Sequence, residues 1–194
     1  MKEIYTQIWL LAKPYYLKGR SMDIDHIQWM MKDALLVCKE EQIDDSLLLP
    51  LVILHDVGYF GLDSQDPFSV LSKKEHMKKG AKIADEILQK VDYSQNKIKS
   101  ITKYISVHDN WLLGDDTFFK NDLILGVFND LDYMWMATPK GFSLFLKLIH
   151  KTPQEMIQFL ETNEKLTRRP FCTKITKRLY EKYIAELKRE FKLF

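Results

Sequence analysis

A histidine and an aspartate stand side by side at the end of the most apolar segment of the chain. Residues 47–56 read LLLPLVILHD, so His55 and Asp56 follow a run that is expected to be buried. Burying an imidazole or an ionised carboxylate without a partner is costly. A divalent cation would neutralise the carboxylate and accept the lone pair of the imidazole. The pair therefore predicts a metal site whose other ligands should be found elsewhere in the chain.

Further candidate ligands lie at or near the ends of other predicted helices. Four of the five histidines can be placed facing inward, and one aspartate falls in the apolar row of a later helix. His150 is the histidine that does not fit. In chain order, the candidate metal ligands are His26, His55, Asp56, His76, His108 and Asp132. Imidazole and carboxylate ligands suit one or two ions of Mn, Fe, Mg, Co, Ni or Zn, and not a soft thiolate site.

The elements that must position these residues are predicted to be helices. Apolar residues recur at intervals of three and four, and glycine and proline number only 7 and 6, so we expect an all-α fold. Asp23 is the expected cap of the first helix that carries a ligand. The predicted ligand-bearing and C-terminal helices cover about 25–41, 47–56, 95–107, 121–137 and 174–191.

Two further helix starts are predicted from capping residues. Ser72 and Glu75 have the spacing of a capping box, which would place His76 in the first turn of a helix. Thr152 and Glu155 have the same spacing, with a proline at the first helical position between them.

Composition indicates one ordinary globular domain spanning 1–194. The chain has 29 Lys+Arg and 27 Asp+Glu, a net charge of +2, and 46% hydrophobic residues, and its length suffices for a core without disulfides. Cys38 and Cys172 form no CxxC pair, which favours a reducing, cytoplasmic compartment. The longest apolar run, Leu47–Leu54, is far shorter than the roughly 20 residues that span a bilayer, so no membrane partner is expected.

The charge is concentrated at the C-terminal end of the chain. Residues 165–194 hold ten Lys+Arg and three Glu, which gives this segment a net charge of +7. We interpret it as a solvated helical face. It contains no motif that reads nucleic acid, so nucleic acid is not an expected partner.

The order of the candidate ligands, H…HD…H…H…D, resembles the dinuclear branch of the HD domain, a superfamily of all-helical, divalent-metal phosphohydrolases. Local matches are the D-x-x-H that ends at His26, ILHDVG around Asp56, and HMKKGAKIADEIL from His76. The resemblance covers about residues 20–137, the metal-binding core of a helical bundle. Residues 138–194 would then form a C-terminal helical extension.

The last ligand has two candidates, and the chain departs from the family pattern at two positions. In this family the final ligand usually ends a D-A-D-R-L-like string, so FNDLDYM aligns Asp132 as the ligand, with Asp130 as the alternative. Trp29 stands where many relatives have an arginine, which removes one clue to the substrate. Tyr59 replaces the lysine of H-D-x-G-K, which argues against the cyclic-dinucleotide branch.

The resemblance implies a hydrolytic mechanism with two metal ions about 3.5 to 4 Å apart, which lower the pKa of a bridging water and hold a phosphoryl oxygen. If only one ion binds, His76 and His108 would instead face the phosphate as donors or proton carriers. The roles implied for two ions are a bridging Asp56, a first ion held by His26, His55 and Asp132, and a second held by His76 and His108.

Three more residues are candidates for binding the substrate or for taking part in its cleavage. Lys79 and Lys103 lie about one helical turn from the nearest candidate histidine and are expected to contact phosphate. Asp109 follows His108 and is expected either to orient that imidazole or to act on the leaving group.

These features predict a metal-dependent phosphohydrolase that cleaves a small phosphate ester, with a nucleotide as the expected substrate. Two alternatives stay open, a diiron oxygenase of the same superfamily and a noncatalytic nucleotide-binding sensor, because the ligands alone do not separate them. The sequence also leaves open whether the chain forms a homodimer.

Overall fold

The protein is all-α, as predicted. The computed structural model describes residues 2–64, 66 and 69–192, and within these residues all regular secondary structure is helical. The chain divides into two compact units, one up to Asp115 and one from Asp116 onward. This division falls inside the segment 20–137 that the sequence assigns to the metal-binding core. The predicted domain extents therefore stay a prediction.

The first unit is built around one apolar helix. The helices of this unit are α1 (Glu3–Lys18), α2 (Asp23–Glu41), α3 (Asp45–Leu54), α4 (Val70–Lys90) and α5 (Gln95–Ile105). All seven residues of α3 from Leu48 to Leu54 are buried, and the helix packs against α1, α2 and α5. α4 packs against α5 and against a short 3-10 turn, Val57–Tyr59, that follows α3.

The start of α4 differs from the predicted one. The helix begins at Val70, and its cap is Ser69, whose hydroxyl accepts a hydrogen bond from the backbone N–H of Ser72 at 3.3 Å. The capping box predicted at Ser72 and Glu75 is therefore wrong. His76 lies in the second turn of α4 and not in the first. Ser69 caps the helix in the way that was predicted for Ser72. The spacing of residues in the sequence does not show which of the two serines is the cap.

The start of α2 also differs in detail. The helix begins at Asp23, and Met22 at the cap position makes no side-chain bond to the helix. Asp23 is thus not the cap that was predicted. Its carboxylate accepts a bond from the Arg20 guanidinium at 2.7 Å instead, which turns it toward the interior of the first unit.

The second unit contains shorter helices and one long basic helix. The capping box predicted at Thr152 and Glu155 is confirmed, since Thr152 Oγ1 accepts from the Glu155 N–H at 3.3 Å and Glu155 Oε2 accepts from the Thr152 N–H at 2.8 Å. The helices of this unit are α6 (Thr117–Asn121), α7 (Leu123–Met134), α8 (Pro139–Ile149), α9 (Pro153–Thr162), α10 (Lys165–Arg168) and α11 (Lys174–Glu190). None of the helices described for either unit has the length and apolar character that crossing a bilayer requires.

Candidate metal centre

Two glycines bring the end of α3 close to α4. A Cβ on Gly58, in the turn after α3, would lie 1.9 Å from the carbonyl oxygen of His76. A Cβ on Gly80, one turn further along α4, would lie 3.3 Å from the carbonyl oxygen of His55. The absence of a side chain at Gly58 therefore permits a backbone contact that places Asp56 beside His76.

Three histidines of the first unit are held by backbone carbonyl groups of their own segments. The Nδ1–O distances are 3.0 Å from His55 to Val52, 3.2 Å from His76 to Ser72, and 2.7 Å from His108 to Ile105. A carbonyl oxygen only accepts hydrogen bonds, so each Nδ1 carries the proton and each Nε2 presents a lone pair. Metal-binding histidines are commonly oriented in this way, by a second bond from the nitrogen that does not face the metal.

The lone pairs of His76 and His108 converge on one point. Their Nε2 atoms lie 3.1 Å apart, and Asp56 Oδ1 lies 3.3 Å from the first and 3.7 Å from the second. With both Nδ1 atoms protonated, neutral imidazoles have no proton to share between the two Nε2 atoms. Two lone pairs and a carboxylate that face one another repel unless a cation lies among them. This geometry fits a divalent metal ion.

The second oxygen of Asp56 faces a different set of groups. Asp56 Oδ2 lies 3.4 Å from His55 Nε2 and 3.7 Å from Arg20 Nη2. Potential ligand atoms of Asp23, His26 and Asp56 also lie within 4.8 Å of one another. One carboxylate is thus shared by two groups that could each hold an ion. We call them the α4–α5 cluster (Asp56, His76 and His108) and the α2 cluster (Asp23, His26 and Asp56).

Asp23, which was expected to cap a helix, is a potential metal ligand. The D-x-x-H spacing was the available signal, because residues three apart on a helix lie on the same face. Asp23 and His26 are both buried, at 3% and 6% exposure. Their shared face of α2 therefore points into the first unit and not to solvent.

The site is buried, and burial changes the protonation of its members. Burial lowers the pKa of His76, which keeps its imidazole neutral and able to bind a metal. For Asp56, burial alone would raise the pKa, but the neighbouring imidazoles of His55, His108 and His76 hold it well below its ordinary value. Asp56 is therefore ionised in its buried position.

Two largely buried cations beside the site were not predicted. Arg20 binds Asp23, and its guanidinium carbon lies 4.0 Å from the centre of the Tyr59 ring. Lys73 Nζ lies 2.7 Å from Asp109 Oδ2. Burial alone would lower the pKa of Lys73, but the Asp109 carboxylate raises it above its ordinary value, so the ammonium stays charged. Neither residue belongs to the H…HD…H…H…D pattern, so only the folded structure shows that they lie beside the site.

The two lysines predicted to contact phosphate occupy different surroundings. Lys79 is half-buried on α4, with Nζ 5.3 Å from the centre of the Phe60 ring. Lys103 is exposed on α5. Their roles toward a substrate stay predictions.

The two candidates for the last ligand both lie on α7 in the second unit. Asp130 Oδ1 accepts from Lys165 Nζ at 2.8 Å, and Asp130 Oδ2 accepts from the Cys172 N–H at 2.7 Å and from Thr176 Oγ1 at 2.8 Å. Both oxygens of Asp130 are therefore engaged in a buried network of its own unit. Asp132 is only half-buried, and its role as the last ligand stays a prediction.

The residues of the first unit can hold at least one divalent ion through nitrogen and carboxylate oxygen atoms, which is the chemistry that the ligand types predicted. In comparisons with known proteins, no family model, no curated protein and no solved structure matches this chain. The interpretation of the site therefore rests on the order of its ligands and on their geometry.

Proposed function

We propose that this protein is a metal-dependent phosphohydrolase of the HD-domain type that cleaves a small phosphate ester, with a nucleotide as the expected substrate. The observation that carries the proposal is the shared carboxylate of Asp56. Its Oδ1 faces His76 and His108, and its Oδ2 faces His55. A carboxylate with ligands on both sides is suited to bridge two ions. At such a site, divalent ions supply an activated water and a Lewis acid for a phosphoryl oxygen.

The residues around the ions would have separate tasks. The histidines provide fixed, neutral nitrogen ligands, because the bonds to their Nδ1 atoms set both tautomer and orientation. Arg20 stays paired with Asp23, which limits the negative charge at the α2 cluster. The same arrangement serves one ion or two, and the metal content of the purified protein decides between them.

The charge of the site favours an anionic substrate. Three buried carboxylates of the first unit, Asp23, Asp56 and Asp109, are opposed by two largely buried cations, Arg20 and Lys73. The site is thus net negative before a metal binds. One divalent cation reverses the sign, and a second makes the site strongly positive, which draws in phosphate groups and disfavours neutral substrates.

A test begins with protein stripped of metal and reloaded with Mn, Mg, Co, Ni, Fe or Zn. Phosphate release is then measured with nucleoside mono-, di- and triphosphates and with phosphodiesters. We expect turnover that Asp56→Ala abolishes and that Asp63→Asn, an exposed acid in a loop, leaves unchanged. Full activity of the Asp56→Ala protein would contradict the proposal.

The same screen separates the alternatives. Bound iron with oxygen uptake, and no anaerobic turnover of phosphate esters, would assign the site to a diiron oxygenase. Tight nucleotide binding without turnover under any metal would assign it to a noncatalytic sensor. The catalytic roles proposed for Asp56, His76, His108 and Asp109 apply only if phosphate esters are cleaved.

We keep the cytoplasm as the proposed compartment, because Cys38 and Cys172 are both free thiols. A homodimer also stays a proposal, which sedimentation of the purified chain would test.

A further inference from the structure

Asp109 lies on the same side of the two imidazoles as their converging lone pairs. Its Oδ2 is 3.4 Å from His76 Nε2 and 3.6 Å from His108 Nε2. The Nδ1 atoms of these histidines already donate to Ser72 and Ile105. Asp109 is therefore not needed to orient either ring through its second nitrogen, which was one of the two roles expected from the sequence.

The distances among these atoms match the spacing of ligands around one ion. The separation between the two Nε2 atoms is 3.1 Å, and the four distances from them to Asp56 Oδ1 and Asp109 Oδ2 run from 3.3 to 3.7 Å. Ligands at 2.0 to 2.1 Å from a tetrahedral ion are separated by about 3.3 to 3.4 Å. Five of the six separations among these two nitrogen and two oxygen atoms are thus close to those that one ion would impose.

Lys73 holds the Asp109 carboxylate in this position. Its Nζ lies 2.7 Å from Asp109 Oδ2, and the two side chains are 15% and 2% exposed. Such an ion pair fixes a buried acid that would otherwise be repelled by Asp56 across the same pair of imidazoles. The ammonium also supplies the positive charge that an acid here requires while the metal is absent.

We propose that Asp109 is a metal ligand, which completes a two-histidine, two-aspartate site with Asp56, His76 and His108, and that Lys73 is the residue that positions it. This inference rests on the proposed metal centre and adds a ligand to it. The α4–α5 cluster then has four protein ligands and is the position that fills first when metal is added.

The experiment is a titration of metal-stripped full-length protein with Co²⁺, followed by calorimetry and by the visible absorption of the bound ion. Cobalt absorption reports the number and type of ligands independently of turnover. Asp109→Asn should weaken binding of the first Co²⁺ roughly tenfold or more and change its spectrum. The control Asp63→Asn removes the same charge from an exposed loop position and should bind as the wild type does.

The outcomes separate this inference from the proposed function. If Asp56→Asn binds Co²⁺ as tightly as the wild type, the metal centre itself is wrong. If Asp56→Asn loses binding while Asp109→Asn keeps the wild-type affinity and spectrum, the centre stands and Asp109 is not a ligand. Should Asp109→Asn fail to fold, Asp109→Glu decides, because it keeps the charge and moves the oxygens by one methylene. An altered spectrum supports the inference, and an unaltered one overturns it.

Discussion

Tyr59 lies flat against His76, with ring centroids 4.2 Å apart and ring planes inclined by 8°. The guanidinium of Arg20 lies 4.0 Å from the centre of the same ring, and the stacked imidazole leaves only the opposite face for it. The phenol therefore fixes the plane of a predicted metal ligand on one side and a largely buried cation on the other. The position that holds lysine in H-D-x-G-K thus holds a packing residue in this chain.

The first prediction concerns the separate contributions of the Tyr59 ring and its hydroxyl to stability. Within the described residues, the buried hydroxyl has no hydrogen-bond partner, so Tyr59→Phe should leave the free energy of unfolding within about 0.5 kcal/mol of the wild type or raise it. Tyr59→Leu removes the stack and the cation contact and should cost about 2 kcal/mol, with weaker metal binding. Urea unfolding of both variants measures this. A large loss in Tyr59→Phe would mean that the hydroxyl is bonded after all.

The second prediction concerns the close approach at Gly58. An added Cβ would lie 1.9 Å from the carbonyl oxygen of His76, so Gly58→Ala must displace backbone and should cost about 3 kcal/mol or more, with loss of metal affinity. Gly114 is a useful control, because a Cβ there meets no atom within 4 Å and only its positive φ of 82° opposes alanine. Gly114→Ala should cost about 1 kcal/mol and leave metal binding unchanged. Equal effects on metal binding would show that Gly58 does not position the site.

The third prediction links Lys73 to the metal. In metal-free protein, Lys73→Met leaves the buried Asp109 carboxylate without its cation and should cost about 2 kcal/mol or more. A saturating divalent ion would restore the missing positive charge, so the loss of stability should shrink when Mn²⁺ is present, and by linkage the variant should bind Mn²⁺ more tightly. Thermal unfolding with chelator and with Mn²⁺ tests both statements.

The matched control for this test is Lys74→Met, which removes the same charge from an exposed neighbour on α4. It should change neither stability nor Mn²⁺ affinity beyond a few tenths of a kcal/mol. If Lys73→Met loses as much stability with Mn²⁺ as without it, the ion does not neutralise Asp109, and the inference about that ligand fails with it.

The helical class and much of the site were predictable, because both depend on short-range patterns. The three-and-four spacing of apolar residues gave the helices, and the order of polar residues at their ends singled out Asp56, His76 and His108. Helix starts were less certain where two serines compete for one cap, as Ser69 and Ser72 do at α4.

The residues that the pattern missed act through contacts distant in sequence. Lys73 and Asp109 form an ion pair although 36 positions separate them in the sequence. No local periodicity could predict this contact. Arg20 was overlooked because its partners depend on how α2 and the turn after α3 meet. Gly58 belongs to the HDVG motif, but the need for glycine there comes from its close approach to the His76 carbonyl oxygen. Only the folded structure shows this approach.

The last prediction concerns the buried pair of the second unit, Lys165 and Asp130, and bears on which acid could be the final ligand. Burial raises the pKa of Asp130 and lowers that of Lys165, so both charges are costly at this position. Lys165→Met leaves a buried carboxylate, and Asp130→Asn leaves a buried ammonium 4.1 Å from the centre of the Phe171 ring. Each single variant should lose about 3 to 5 kcal/mol of stability.

The double variant should lose much less than the sum of the two, because the asparagine oxygen can still accept from Cys172 and Thr176 while methionine packs where the lysine stem lay. The exposed pair of Lys177 and Glu181 is the control, and its coupling should stay below about 0.5 kcal/mol.

Metal titration of the same double variant then tests whether Asp130 or Asp132 is the last metal ligand. Since both oxygens of Asp130 are already engaged, replacing this acid should leave Co²⁺ affinity and stoichiometry unchanged, whereas Asp132→Asn should lower them if Asp132 is the last ligand. A drop in Co²⁺ stoichiometry in the folded double variant would instead assign the role to Asp130, and it would show that the buried network rearranges when metal binds.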